Sequence, residues 1–301
     1  MTGQFLRSIG TAFGAALALA PVAAFAQETG APEPGAIGLQ PSVTTIMDSI
    51  HSFHDGILMW VITLIVLLVM ALLIVVMVRF NAKANPTPSK TTHNTLIEIV
   101  WTVVPILILV VIAIPSFGVL TDQLTVPDGQ RKYLGSNIFS FGEQEVPAPG
   151  LTVKATGEQW FWNFEYVDQG LAFDSNMLKE AERNSTKPNQ PRLLAVNNEL
   201  VVPVDTTVRL QVTASPNGVI HSFALPSFGV KIDAVPGKLN ETWFNVRKTG
   251  IYYGQCSELC GQDHAFMPIA IRVVTKEEFA LWIKTFGEGF IDDANATLPT
   301  L

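Results

Sequence analysis

Two cysteines, a histidine and a methionine crowd into one loop: Cys256, Cys260, His264 and Met267, in the run YYGQCSELCGQDHAFMP from Tyr252 to Pro268. They are spaced Cys-x3-Cys-x3-His-x2-Met, and the chain has no other cysteine. Thiolates and imidazoles bind zinc or copper, and a thioether is a soft donor that suits copper and not zinc. Structural zinc would take four Cys/His ligands and leave Met267 idle. A disulfide is a third reading, although so short a loop strains its preferred geometry. A mononuclear blue-copper site uses one Cys, two His and an axial Met. This loop has one Cys more, so two thiolates could bridge two coppers, with the histidines and Met267 as outer ligands. Residue types favour copper electron transfer and leave zinc and a disulfide open. The second imidazole must come from elsewhere, and the exported part of the chain offers His221, at the head of IHSFAL.

A ligand loop needs rigid ends. From Leu151 onward the sequence alternates with a period of two. In WFWNFEY, Trp160, Trp162, Phe164 and Tyr166 share one face, and in TVRLQVT so do Val208, Leu210 and Val212. IHSFAL, ETWFNVR, GIYYGQ and MPIAIRVV are further strand candidates, separated by turns such as SPNG and VPGKLN. Many short strands with regular turn signals predict an all-β sandwich or barrel over 151–276. KEEFALWIKTFGEGF carries Phe279, Leu281, Trp282 and Phe286 at helical spacing, so 277–301 reads as a C-terminal helix and tail.

Ahead of this domain the chain is built for a membrane. Residues 57–78 and 99–120 are uncharged apolar runs of 22 residues each. About 20 helical residues cross a bilayer core, so each run predicts a transmembrane helix, and together a hairpin. The loop 79–98 carries Arg79, Lys83 and Lys90, whereas the segment 27–56 has four acids and no Lys or Arg. Positive charge stays inside, which places the loop in the cytoplasm and both flanking segments outside. Arg7, an apolar run and AFA at Ala24–Ala26 predict a signal peptide over 1–26 that is cleaved, which gives the same direction. The segment 121–150, weakly patterned and rich in Gly and Pro, reads as a linker. Glu98 at the cytoplasmic edge of the second span either snorkels to water or takes up protons. The part from Thr121 onward has 21 acidic and 15 basic residues, which argues against a nucleic-acid partner and permits a basic protein partner.

The loop GQCSELCGQDHAFMP, and the order of two spans followed by an exported β-domain, resemble the cytochrome c oxidase subunit II family of bacterial haem–copper oxidases of the aa3 type. The resemblance covers nearly all of the mature chain. It implies a cupredoxin-like domain with a dinuclear copper A centre. Cys256 and Cys260 would bridge the coppers, and His221 and His264 would bind one each. Met267 would complete one copper and the backbone carbonyl of Glu258 the other. The Glu258 carboxylate would touch a magnesium shared with subunit I. QWFW matches the family's aromatic stretch, which makes Trp160 the residue that receives the electron from cytochrome c. Glu165, Asp168 and Asp174 match its acidic docking surface. IEIVWTVVP resembles the second span, in which the residue at Glu98 opens a proton path.

The resemblance further implies that haem and the second copper site (CuB) belong to subunit I, with subunit III as a neighbour. The chain would sit in the bacterial inner membrane with its C-terminal domain in the periplasm. Glu158 stands where the family often has His, and Phe161 and Phe223 replace common aromatics; no ligand is lost. The quinol-oxidising branch lacks these ligands. A nitrous oxide reductase has a similar copper domain without two spans before it. The alternative of another class is a membrane-anchored copper-delivery protein without an oxidase partner, for which Trp160, Glu258 and Glu98 would be needless.

Overall fold

The structure, a computed structural model, describes residues 30–139 and 142–299. The expected signal peptide, 1–26, lies outside them. The first membrane helix starts earlier than its apolar run. Thr44 caps it, its hydroxyl accepting from the Met47 N–H, and the helix runs through α1 (Thr45–Phe53), a π-helical turn (His54–Leu58) and α2 (Met59–Arg79). The second, α3 (Thr95–Leu124), is capped by Asn94 and continues through Pro105 and Pro115. Both are long and apolar enough to cross a membrane.

The segment expected as a linker is partly ordered against the domain. α3 extends to Leu124, and a small hairpin follows, β1 (Lys132–Tyr133) with β2 (Gln144–Glu145). Tyr133 and Val146 are buried in a satellite core with Ile46 and Trp243. Tyr133 meets Trp243 edge-on, ring centroids 4.9 Å apart. Partners this distant in sequence leave no local period, which is why the segment looks unpatterned.

The exported domain is a sandwich of two five-stranded sheets. One, in order β10-β7-β3-β4-β5, comprises β3 (Leu151–Glu158), β4 (Phe161–Tyr166), β5 (Leu171–Ser175), β7 (Thr207–Ala214) and β10 (Asn240–Asn245). The other, β6-β12-β11-β8-β9, comprises β6 (Leu200–Pro203), β8 (His221–Leu225), β9 (Val230–Ala234), β11 (Gly250–Cys256) and β12 (Pro268–Val274). Within them β3–β7 and β6–β12 are parallel pairs.

The alternation read from sequence is the burial pattern: Leu151, Val153 and Ala155 of β3, and Trp162, Phe164 and Tyr166 of β4, point into the core. β12 breaks the rule, being buried along its whole length. Its outer face is covered by Leu194 and Val196 from the β5–β6 excursion, which also holds a short helix, α4 (Glu180–Thr186). A strand covered on both faces reads as a continuous apolar run. α5 (Lys276–Glu288) starts at a capping box of Thr275 and Glu278 and lays Trp282 and Phe286 on the sheet edge. Leu281, which the helical spacing grouped with them, faces solvent. A last turn of helix, α6 (Ile291–Asn295), follows.

Candidate metal centre

β11 and β12 pair in register from Gly250 with Val273 to Gln255 with Pro268, so the loop between Cys256 and Met267 is clamped at both ends. Gly254 has no room for a side chain, because a Cβ there would lie 2.1 Å from the Ala224 carbonyl oxygen on β8. β8 therefore runs hard against β11 and delivers His221, its first residue, to the loop. The Ser257 N–H closes the seam on the Ser222 carbonyl at 2.9 Å.

The donors converge. Cys256 Sγ is 3.9 Å from Cys260 Sγ, 3.8 Å from His221 Nδ1 and 3.4 Å from the Glu258 carbonyl oxygen. Cys260 Sγ is 3.5 Å from His264 Nδ1 and 3.5 Å from Met267 Sδ. The donor atoms of His221, Cys256 and Cys260 all lie within 4.8 Å of one another. Two ligands bonded to one metal at ~2.2 Å and a tetrahedral angle are ~3.6 Å apart, so these separations are those of ligand pairs around metal ions. They are not those of a disulfide, whose sulfurs are about 2.05 Å apart, and both cysteines are free. Met267 lies inside the set and is buried, which favours a soft metal over zinc.

The surroundings are dry. His221 is 0%, Cys260 2% and Met267 1% exposed. Burial pushes the Cys260 thiol up to about 12, with the Cys256 thiol beside it adding to the shift. Burial, and then the nearby His264, lowers His221, which favours the neutral imidazole that ligates metals. Metal binding here must release thiol protons.

The neighbours of the loop tie it to the other sheet. Trp160 stands just before β4, half-buried, rather than in line with Trp162 inside the strand. Its indole N–H donates to the Cys260 carbonyl at 3.2 Å, and the Gln159 amide donates to the same oxygen at 3.2 Å. Gly261, at φ +123°, lies under the ring: a Cβ there would sit 3.0 Å from Trp160 Cζ2. The Trp162 indole N–H donates to the Met267 carbonyl at 3.3 Å. Gln159 and Gly261 were not singled out in the sequence; their roles depend on two distant loops meeting.

The structure brings His221, Cys256, the Glu258 carbonyl, Cys260, His264, Met267 and Trp160 together. Four other expected residues lie elsewhere. Glu165 pairs with Lys154 at 3.1 Å, Asp168 accepts from the Thr152 N–H at 3.2 Å, and Asp174 accepts from the Asn163 amide at 2.7 Å, all on the outer side of the first sheet. Glu98 is in the first turn of α3, where its carboxylate accepts from the Asn94 N–H at 3.3 Å.

Residues 151–274 match the family model of the cytochrome c oxidase subunit II periplasmic domain, and residues 32–119 match that of its transmembrane domain. The chain belongs to the cytochrome c oxidase subunit II family. It is 45% identical over 295 residues to the probable cytochrome c oxidase subunit 2 of Rickettsia bellii, covering 98% of each chain. It is 40% identical to cytochrome c oxidase subunit 2 of Cereibacter sphaeroides, covering 96% of this chain and 94% of that one. Among solved structures, the periplasmic domain of subunit II of cytochrome oxidase of Bradyrhizobium japonicum is 58% identical, covering 48% of this chain and 99% of that one, with a TM-score of 0.43. The protein is thus a subunit of a haem–copper oxidase complex, an oxidoreductase, with two membrane-spanning helices and a periplasmic β-domain.

Proposed function

We propose that the loop holds a dinuclear copper A centre, and that the subunit accepts electrons singly from cytochrome c and passes them to haem in subunit I, where oxygen is reduced to water with proton pumping. One observation carries this reading. Two thiols share one buried donor set, yet each has donors of its own: His221 and the Glu258 carbonyl at Cys256, His264 and Met267 at Cys260. Such a set suits two ions sharing two sulfurs better than one tetrahedral ion. When bound, the copper pair supplies a one-electron redox change spread over both ions.

The chain's own residues do the rest. Burial of His221, Cys260 and Met267 excludes water and limits rearrangement on electron transfer. Trp162 fixes the Met267 backbone, and the bond from Trp160 to the Cys260 carbonyl gives a connected route from a half-exposed ring to a ligand. The Glu258 carboxylate, exposed at the loop's edge, is offered to a magnesium shared with subunit I. Glu98 takes up protons at the cytoplasmic end of α3. Glu165, Asp168 and Asp174 attract a basic cytochrome c, weakly for each charge. The subunit resides in a bacterial inner membrane, with subunits I and III beside it.

The test is rapid mixing of the assembled oxidase with reduced cytochrome c, for the natural chain and Trp160→Leu. The variant keeps its copper, but copper reduction slows on the order of 100-fold because donor and acceptor lose their fixed relation. Copper reduction at the natural rate in Trp160→Leu, or haem reduced before copper, contradicts the reading.

A further inference from the structure

The membrane helices join the β-domain at two joints that share a core: Ile46 of α1 packs with Trp243 of β10, and the Gln123 amide at the end of α3 donates to the Lys231 carbonyl of β9 at 3.2 Å. The first joint is made by the start of α1. The Thr44 hydroxyl donates to the Phe228 carbonyl at 2.7 Å, the Val43 N–H donates to the Ser227 carbonyl at 3.4 Å, and the Arg247 N–H donates to the Val43 carbonyl at 3.1 Å. The Asp48 carboxylate accepts from both terminal nitrogens of Arg247, at 2.7 and 3.0 Å. Gly229, at φ +68°, lets the chain pass so close that a Cβ there would lie 3.1 Å from the Met47 backbone. Residues 227–229 belong to the turn that leaves β8, the strand that opens with His221.

The second joint is made by the end of α3. The Trp243 indole N–H donates to the Asp122 carbonyl at 2.8 Å, and the Thr242 hydroxyl donates to the Gln123 carbonyl at 2.8 Å. Both come from β10, in the other sheet. The buried Asp122 carboxylate is itself held by Arg131 at 3.1 Å and by the Leu134 N–H at 2.7 Å.

Helix ends leave backbone groups that water can satisfy. Here the domain satisfies two of them, the Asp122 and Gln123 carbonyls at the end of α3, while the start of α1 is bonded through Thr44 and the residue before it. One joint would make a hinge. Two joints, with each helix touching both sheets, leave no free axis, so the domain and the membrane hairpin turn as one body. The first joint also sits on the turn that leaves a metal-ligand strand, so movement there carries the whole His221-bearing sheet with it.

We propose that Thr44, Asp48, Gly229 and Arg247 are positioning residues for electron transfer out of the metal centre: they hold the His221-bearing sheet at a fixed place over the first membrane helix, and so set the distance from copper to its acceptor in the neighbouring subunit. This rests on the electron-transfer reading above. The Asp48–Arg247 pair is half-exposed, and such pairs add little to stability, so its loss leaves the fold intact.

The test uses the assembled oxidase carrying Asp48→Asn, Gly229→Ala, or the reversal Asp48→Arg with Arg247→Asp. In the two single variants, copper content, the copper resonance spectrum and KM for cytochrome c stay as in the natural chain, while transfer from copper to haem slows about tenfold, the penalty of a sub-ångström to ångström misplacement. The reversal recovers most of that rate. Natural transfer rates in both single variants overturn the proposal, and so does loss of copper from both, which would make these contacts merely structural. Absence of a two-copper spectrum from the natural complex sinks the electron-transfer reading, and this proposal with it, before any variant is compared.

Discussion

Gly157→Ala sets two effects of opposite sign against each other. Gly157 lies within β3 with no positive φ, so alanine fits its backbone and stiffens the unfolded chain, worth about 0.4–1 kcal/mol of added stability. Its Cβ, however, would stand 2.8 Å from His221 Cδ2, 2.9 Å from Cγ and 3.0 Å from Cβ. Reaching ordinary contact at 3.4 Å requires a retreat of 3.4 − 2.8 = 0.6 Å. His221 is fully buried, and the Trp162 ring meets it edge-on with centroids 6.1 Å apart, so it has little room to give. Overpacking of this kind costs about 1–3 kcal/mol. Steric cost wins, by roughly 1–2 kcal/mol, and it falls on a metal ligand. The backbone gain acts on folding and not on binding, so copper held on the Cys256 side should weaken by up to the full steric term of about 1–3 kcal/mol, about 5- to 140-fold at 1.4 kcal/mol per tenfold. Competition titration with a copper chelator measures that loss, and thermal unfolding of the copper-free domain measures the net of the steric cost and the backbone gain. Unchanged copper affinity together with a raised melting temperature would refute the reasoning, since only the backbone gain would then be present.

Other expectations follow from single contacts. Burial would raise the Glu199 carboxyl, but Lys187 and Arg272 override it and hold it down at about 2, below its ordinary 4.5. A depressed carboxyl stabilises the fold fully above its unfolded value and loses that contribution as pH falls from about 4.5 toward 2, on the order of 3 kcal/mol. Urea titrations at stepped pH should show this acid-side slope in the natural chain and a flatter one in Glu199→Gln; equal slopes would contradict the assignment. Glu98→Gln should slow steady-state turnover about tenfold or more while leaving copper reduction by cytochrome c untouched, as expected for a lost proton carrier; an unaltered turnover would remove Glu98 from the proton path. Asp168→Asn and Asp174→Asn should each raise KM for cytochrome c about twofold at low salt, with the difference vanishing above ~0.15 M. Glu165→Gln should do less, because Lys154 already engages that carboxylate.

The parts of the fold governed by short-range pattern were legible in the sequence. Uniform apolarity marked both membrane helices, and alternation marked β4 and β7, where Trp162, Phe164, Val208 and Leu210 all point inward. The metal loop announced itself because its donors are neighbours in the chain. What stayed hidden depends on distant partners. Tyr133 is buried by Trp243 and Ile46, and no local period can report that. The early start of α1 did leave a signal, Thr44 as its cap, but it lies outside the uniformly apolar run. Trp160 fitted the alternation of its strand and yet lies outside it, held by the Cys260 carbonyl, a contact between segments about a hundred residues apart. The resemblance, not local pattern, marked Glu165, Asp168 and Asp174 as a docking surface, and it could not report that Glu165 pairs with Lys154.

The most direct measurement is copper stoichiometry with electron paramagnetic resonance on the purified complex, comparing the natural chain with Cys256→Ser. Two coppers bound by this subunit, with one unpaired electron shared between them, and loss of that sharing on removal of one thiol, are the predicted result. A single copper with a localised electron, or zinc and no signal, would contradict the account of two ions bridged by Cys256 and Cys260.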